Sequence, residues 1–135
     1  MNIYLDIDGV ILANDKQPAL HAKEFVKYLT DNYHVFWLTT HCKGDSNFTL
    51  HHLSQWFDAE TLTILAKIKP TNWSESKTEA IDFKTPFLWF DDDLFDFEKE
   101  DLIKYNAFNS WIEIDLSKNV NQLKDLINNF PKIAT

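Results

Sequence analysis

Residues 87–98 read FLWFDDDLFDFE, and the change in character at position 91 sets the reading of the whole chain. Phe87, Leu88, Trp89 and Phe90 are uniformly apolar, as expected of a strand buried on both faces. They run without a break into Asp91, Asp92 and Asp93. Carboxylates that close repel one another, and a folded chain tolerates them together only where something compensates the charge.

The same switch occurs twice more. Ile3-Tyr4-Leu5 leads into Asp6 and Asp8, and Val35-Phe36-Trp37-Leu38 leads into Thr39 and Thr40. A fourth apolar run, Trp111–Ile114, lies near the C-terminus. The segments between them have helical spacing: Leu20, Phe25, Val26 and Leu29 after Pro18, then Leu50, Leu53, Trp56 and Phe57. Ser74 or Ser76 is placed to cap a short helix carrying Ala80 and Ile81. Phe95, Leu102 and Ile103 mark another helix, and Val120, Leu123, Leu126 and Ile127 the last. Thr61–Ile68 fits helix or strand equally. Strands alternating with helices predict an α/β, Rossmann-like domain of three layers, a mainly parallel sheet with helices on both faces. In such sheets ligands bind beyond the carboxyl ends of the strands, where all three polar clusters fall.

Composition narrows the class. With 135 residues, 44% of them hydrophobic and 11 of them Phe, the chain has material for one packed domain, expected to span 1–135. A net charge of −8 opposes broad binding to nucleic acid or to an anionic membrane. Cys42 is the only cysteine, so no intrachain disulfide is possible. No basic-then-apolar leader is visible, and no apolar run approaches the roughly 20 residues of a membrane span. A cytoplasmic location is the expectation.

Asp6 and Asp8, two apart in an extended chain, project to one side, and Gly9 lets the backbone turn sharply behind them. With an aspartate from the third strand, at least three carboxylates converge. Mg²⁺ suits such a set, since it prefers hard oxygen ligands and takes one or two carboxylates plus phosphate oxygens. A carboxylate can attack phosphorus, a second can move protons, and Thr39 and Thr40 offer a hydroxyl and N–H groups to phosphate oxygens. Lys77 supplies the fixed cation such a site needs.

Together these motifs resemble the haloacid dehalogenase superfamily of phosphohydrolases. The first motif stands as Asp6-Ile7-Asp8-Gly9-Val10, the second as Thr39 in FWLTT, the third as Lys77 in SKTEAI, and the fourth as Asp91-Asp92 in WFDDD. The resemblance covers residues 3–96, and its four motifs come in the family's order. It implies a Mg²⁺-dependent phosphatase that cleaves a phosphate monoester through an aspartyl phosphate on Asp6. Asp8 would be general acid/base, with its backbone carbonyl on the metal. Thr39, Thr40 and Lys77 would bind the phosphoryl group, and Asp6, Asp91 and Asp92 would serve the metal, Asp92 through water or by orienting Lys77. Dehalogenases of the superfamily replace the second aspartate, which is present here.

Lys69, followed by Pro70, is a rival third-motif lysine; Lys77 is preferred because its helix leads into the third strand. About 30 residues separate Asp8 from Thr39, too few for a cap domain. An uncapped site favours a bulky phosphorylated substrate or a partner that closes it. The compact pattern is similar to small capless domains of RNA-repair proteins, which makes a nucleic-acid end phosphatase one alternative. There a Trp commonly stands two positions after the motif Thr, whereas this chain has His41, left open as a substrate contact. A second alternative is a catalytically silent scaffold of the same fold. The His and Cys residues lack zinc spacing. Asp93 is expected to be a surface charge or the cap of a helix beginning at Leu94, and Trp73 is open between core and surface.

Overall fold

All four apolar runs become strands within one residue of the expected bounds: β1 (Asn2–Leu5), β2 (His34–Trp37), β3 (Phe87–Asp91) and β4 (Trp111–Glu113). They are seen in a computed structural model that describes residues 1–42 and 44–134. The strands form one sheet in the order β2-β1-β3-β4, and every pairing is parallel. Among the described residues five α-helices accompany them: α1 (Ala22–Asn32), α2 (Ser46–Leu53), α3 (Ala59–Leu65), α4 (Asp96–Lys104) and α5 (Gln122–Ile133). The chain is therefore α/β with an all-parallel four-stranded sheet. No helix among the described residues is long and apolar enough to cross a membrane.

Period-two alternation sends successive strand residues into two separate apolar clusters. Ile3, Leu5, Val35, Trp37, Leu88 and Phe90 join Phe25 and Leu29 of α1 and Phe130 of α5 in the larger one. Tyr4, Phe87 and Trp89 join Leu102 of α4 in the smaller. Trp37, Trp89, Phe25 and Phe90 are fully buried, and each large side chain so placed contributes roughly 1.5–3 kcal/mol.

Several expectations need correction. Of the ambiguous Thr61–Ile68 stretch, residues 61–65 belong to α3, whose start is capped by the Asp58 carboxylate accepting the Thr61 N–H, and residues 66–68 form the turn that follows. The chain then runs alongside β2, with Lys69 N–H donating to the Val35 carbonyl and Trp37 N–H to that of Lys69. The helix expected around Ala80 is a single 3-10 turn, Lys77–Ala80, and Ile81 lies beyond it. Leu20, Phe95 and Val120 fall outside their helices and are exposed. Ile103 is exposed too, because adjacent helical residues point about 100° apart and Leu102 takes the inward place. Helix α4 starts at Asp96 rather than Leu94, so Asp93 is not its cap but an exposed surface charge, the other expectation.

Candidate functional site

Strand order decides what meets what. Because β1 lies between β2 and β3, the residues just past β1 and β2 and the last residue of β3 stand side by side at one sheet edge. The Asp6 amide donates to the Phe90 carbonyl, and the Leu38 amide to that of Leu5, so the ladder continues just beyond the named strands. Asp6, Thr39 and Asp91 are thereby adjacent, and all three are buried.

One ligand atom from each of Asp6, Asp91 and Asp92 lies within 4.8 Å of the others. Asp6 and Asp91 are buried, whereas Asp92 is exposed. Lys77 enters the same space, its Nζ 2.7 Å from Asp91 Oδ2 and 3.5 Å from Asp6 Oδ1. Asp91 is further held by the indole N–H of Trp89 at 3.2 Å and by the backbone N–H groups of Asp92 and Asp93 at its other oxygen. Burial, and then the charge on Asp6, push Asp91 up to about 7. Partial burial and the neighbouring Asp91 raise Asp92 to about 6. Burial likewise lifts Asp6, against the pull of Lys77 and hydrogen bonds that include one from Thr39. Three carboxylates thus face one ammonium in a place that disfavours charge. The donors are hard oxygens, which matches Mg²⁺ rather than a softer transition metal.

Lys77 is well anchored. Ser76 and Glu79 form a capping box around its turn, and Glu79 also accepts the Ser74 and Glu75 N–H groups. Helix α4 holds the turn from the other side: Glu98 accepts the Lys77 N–H at 3.1 Å, and Asp101 accepts the Thr78 hydroxyl at 2.6 Å. The rival Lys69 lies elsewhere, its Nζ 5.9 Å from the centre of the Phe36 ring.

Asp8 departs from expectation. Past Asp6, which still continues the ladder, the chain bends into a turn in which Gly9 has a left-handed φ of +79°. The Asp8 carboxylate therefore stands outside the three-carboxylate group and pairs with Lys16 Nζ at 3.2 Å and His41 Nε2 at 2.7 Å. Partial burial works to raise its pKa, but the hydrogen bonds from His41 and Lys16 outweigh that and hold it low. The His41 ring stacks on His52 with centroids 4.2 Å apart. Gly9 also explains its own presence, since a Cβ there would lie 2.3 Å from Asp92 Oδ2.

These groups open into a cleft of about 240 Å³ lined by Asp6, Asp8, Lys77, Asp91 and Asp92, with Thr40 at its border. A larger groove of about 410 Å³ is lined instead by residues such as Pro18, His21 and Trp56, away from the convergent groups. Sequence reasoning did not single out Glu98, which is buried, Lys16, which reaches in from a loop, or Phe95 as a cleft residue. Glu98 had one legible signal: an acid at the third position of a helix, where it can cap the N-terminus. Trp73 is half-buried and lines the same cleft. No family model, curated protein or solved structure matches the chain.

Proposed function

We propose that this protein is a Mg²⁺-dependent phosphatase that hydrolyses a phosphate monoester through an aspartyl phosphate on Asp6. The observation that carries the reading is the meeting of Asp6, Asp91, Asp92 and Lys77 at one sheet edge, beside Thr39 and Asp8. The same reading takes the sheet and its two apolar clusters as a three-layered, capless haloacid dehalogenase-like core.

Asp6, Asp91 and Asp92 would hold the metal. Bound there, Mg²⁺ would neutralise the anionic oxygens of nucleophile and phosphoryl group. Lys77, paired to both Asp6 and Asp91, opposes the effect of burial by favouring the ionised nucleophile and adds positive charge against the phosphoryl oxygens. Thr39 fixes the Asp6 carboxylate, and the neighbouring Thr40, which lines the cleft, offers donors to phosphate.

In the first step an Asp6 oxygen bonds to phosphorus as the ester P–O bond breaks, and the leaving oxygen takes a proton by way of Asp8. In the second, Asp8 draws a proton from water, which attacks phosphorus and frees Asp6. The 2.7 Å contact with His41 orients Asp8 and lets the proton be shared.

Asp6→Asn tests the assignment on a panel of phosphate esters with Mg²⁺. Turnover should fall about a thousandfold or more, and chelation should abolish it in the wild type. Wild-type turnover in Asp6→Asn would overturn the mechanism. Mg²⁺ binding with no turnover of any ester would favour the silent scaffold instead.

A further inference from the structure

We propose, building on the phosphatase reading above, that the substrate carries one planar, uncharged ring next to its phosphate, seated against Phe95 and Trp73. Both aromatic residues line the cleft that contains Asp6, Lys77 and Asp91. Phe95 is 56% exposed, a costly place for a phenyl ring. Helix α4 gives no reason for it, since Phe95 occupies the N-cap, where Ser, Thr, Asp or Asn would be preferred. Glu98 caps the Phe95 N–H in their stead. The Phe95 ring stacks on Phe97, itself 48% exposed, with centroids 5.6 Å apart and planes 15° from parallel. Phe95 is the member of this stacked pair that lines the otherwise mostly acidic cleft, with Phe97 backing it. Trp73 packs into the smaller apolar cluster, which makes it a fixed wall rather than a mobile one.

Charge and volume narrow the class. Glu75 and Asp93 line the cleft with the catalytic acids, and among the described lining residues Lys77 is the only base. One phosphoryl group finds a cation there, while a second would meet carboxylates. A cleft of about 240 Å³ is smaller than the roughly 300–1,000 Å³ that takes a drug-sized ligand. It suits a phosphoryl group and one ring, not a polynucleotide. A nucleoside monophosphate and an aryl phosphate such as phosphotyrosine share this chemistry.

The test compares kcat/KM with Mg²⁺ for a nucleoside 5′-monophosphate, phosphotyrosine, glycerol phosphate, phosphoserine and a nucleoside 3′,5′-bisphosphate. Ring-bearing monoesters should exceed ringless ones by about tenfold or more, and the bisphosphate should fall below the monophosphate. The better of the two ring substrates identifies the source. In Phe95→Ala the ring-to-ringless ratio should collapse toward one, and in Phe95→Tyr it should persist. Equal turnover of ringless esters, or an unchanged ratio in Phe95→Ala, would overturn the proposal. If the wild type cleaves no ester at all, the phosphatase reading fails and binding decides this one. Tryptophan fluorescence titration with the nucleoside monophosphate and with glycerol phosphate should then show ring-dependent binding that Phe95→Ala removes; absence of any ring preference would sink it.

Discussion

At the scale of single residues, Gly9 and Asp92 constrain one another. A methyl group at position 9 would lie 2.3 Å from Asp92 Oδ2 and 2.8 Å from Asp92 Cβ, so moving the carboxylate tip alone does not relieve it. The backbone there has φ of +79°, which costs an L-residue about 1–2 kcal/mol on its own. Gly9→Ala should therefore lower stability by at least about 1–2 kcal/mol and displace Asp92, weakening Mg²⁺ binding measured by calorimetric titration. The double variant Gly9→Ala, Asp92→Gly should be no less stable than Gly9→Ala, because removing the Asp92 side chain with its Cβ removes the clash and leaves the backbone strain. Wild-type stability and Mg²⁺ affinity in Gly9→Ala would show that this tight turn does not position Asp92.

At the scale of elements, the turn bearing Lys77 is the least self-sufficient part of the site. It is one short 3-10 turn, closed by bonds such as Glu79 N–H to the Ser76 carbonyl and Ile81 N–H to that of Thr78, which is marginal without outside support. Its support comes from Ser76, Glu79 and two acids of α4. Ser76→Ala removes the acceptor for the Thr78 N–H and the partner of the Thr78 hydroxyl, at a cost of about 1 kcal/mol. Thermal denaturation should register that loss, and any phosphatase activity should fall further than stability does, since Lys77 loses its register against Asp6 and Asp91. Activity unchanged by Ser76→Ala would mean that Lys77 is positioned by its ion pairs alone. This is also where the sequence was hardest to read. The strands were legible because Leu88, Trp89 and Phe90 admit no other reading, and the three polar clusters followed from strand ends in a parallel sheet. Asp8 was misplaced because period-two reasoning was carried past Asp6 into a turn that Gly9 bends. Phe95 was read as part of a helix with Leu102 and Ile103, since an apolar residue near a helix start cannot be assigned to cap or cleft until the helix boundary is known. Glu98 and Lys16 reach the site through contacts 21 and 8 residues away in the chain, and a period-based reading does not connect such distant positions.

At the scale of the molecule, the acid cluster ties stability to pH and to metal. The chain carries a net charge of −8, so every ionised carboxylate at the sheet edge adds to a self-repulsion already present. Asp91, pushed up to about 7, and Asp92, up to about 6, each hold a proton more tightly in the folded chain than at their ordinary 3.8. For an acid with a raised pKa the sign is fixed: its contribution is fully present below pH 3.8 and is lost as pH rises through the folded value. Lys77, raised by its pairing with Asp6 and Asp91 despite burial, stays charged across that range and does not reverse the trend. The metal-free protein should therefore lose stability between pH 6 and 8, by a few degrees in Tm. Mg²⁺ displaces those protons, so its affinity should rise over the same interval, and the Tm increase it produces should be larger at pH 8 than at pH 6. Differential scanning calorimetry at the two pH values, with chelator and then with Mg²⁺, checks both signs at once. A metal-free Tm that climbs from pH 6 to 8, or a Mg²⁺ shift equal at both, would mean the three carboxylates neither share protons nor trade them for a cation, and with that the electrostatic basis of the site would be gone.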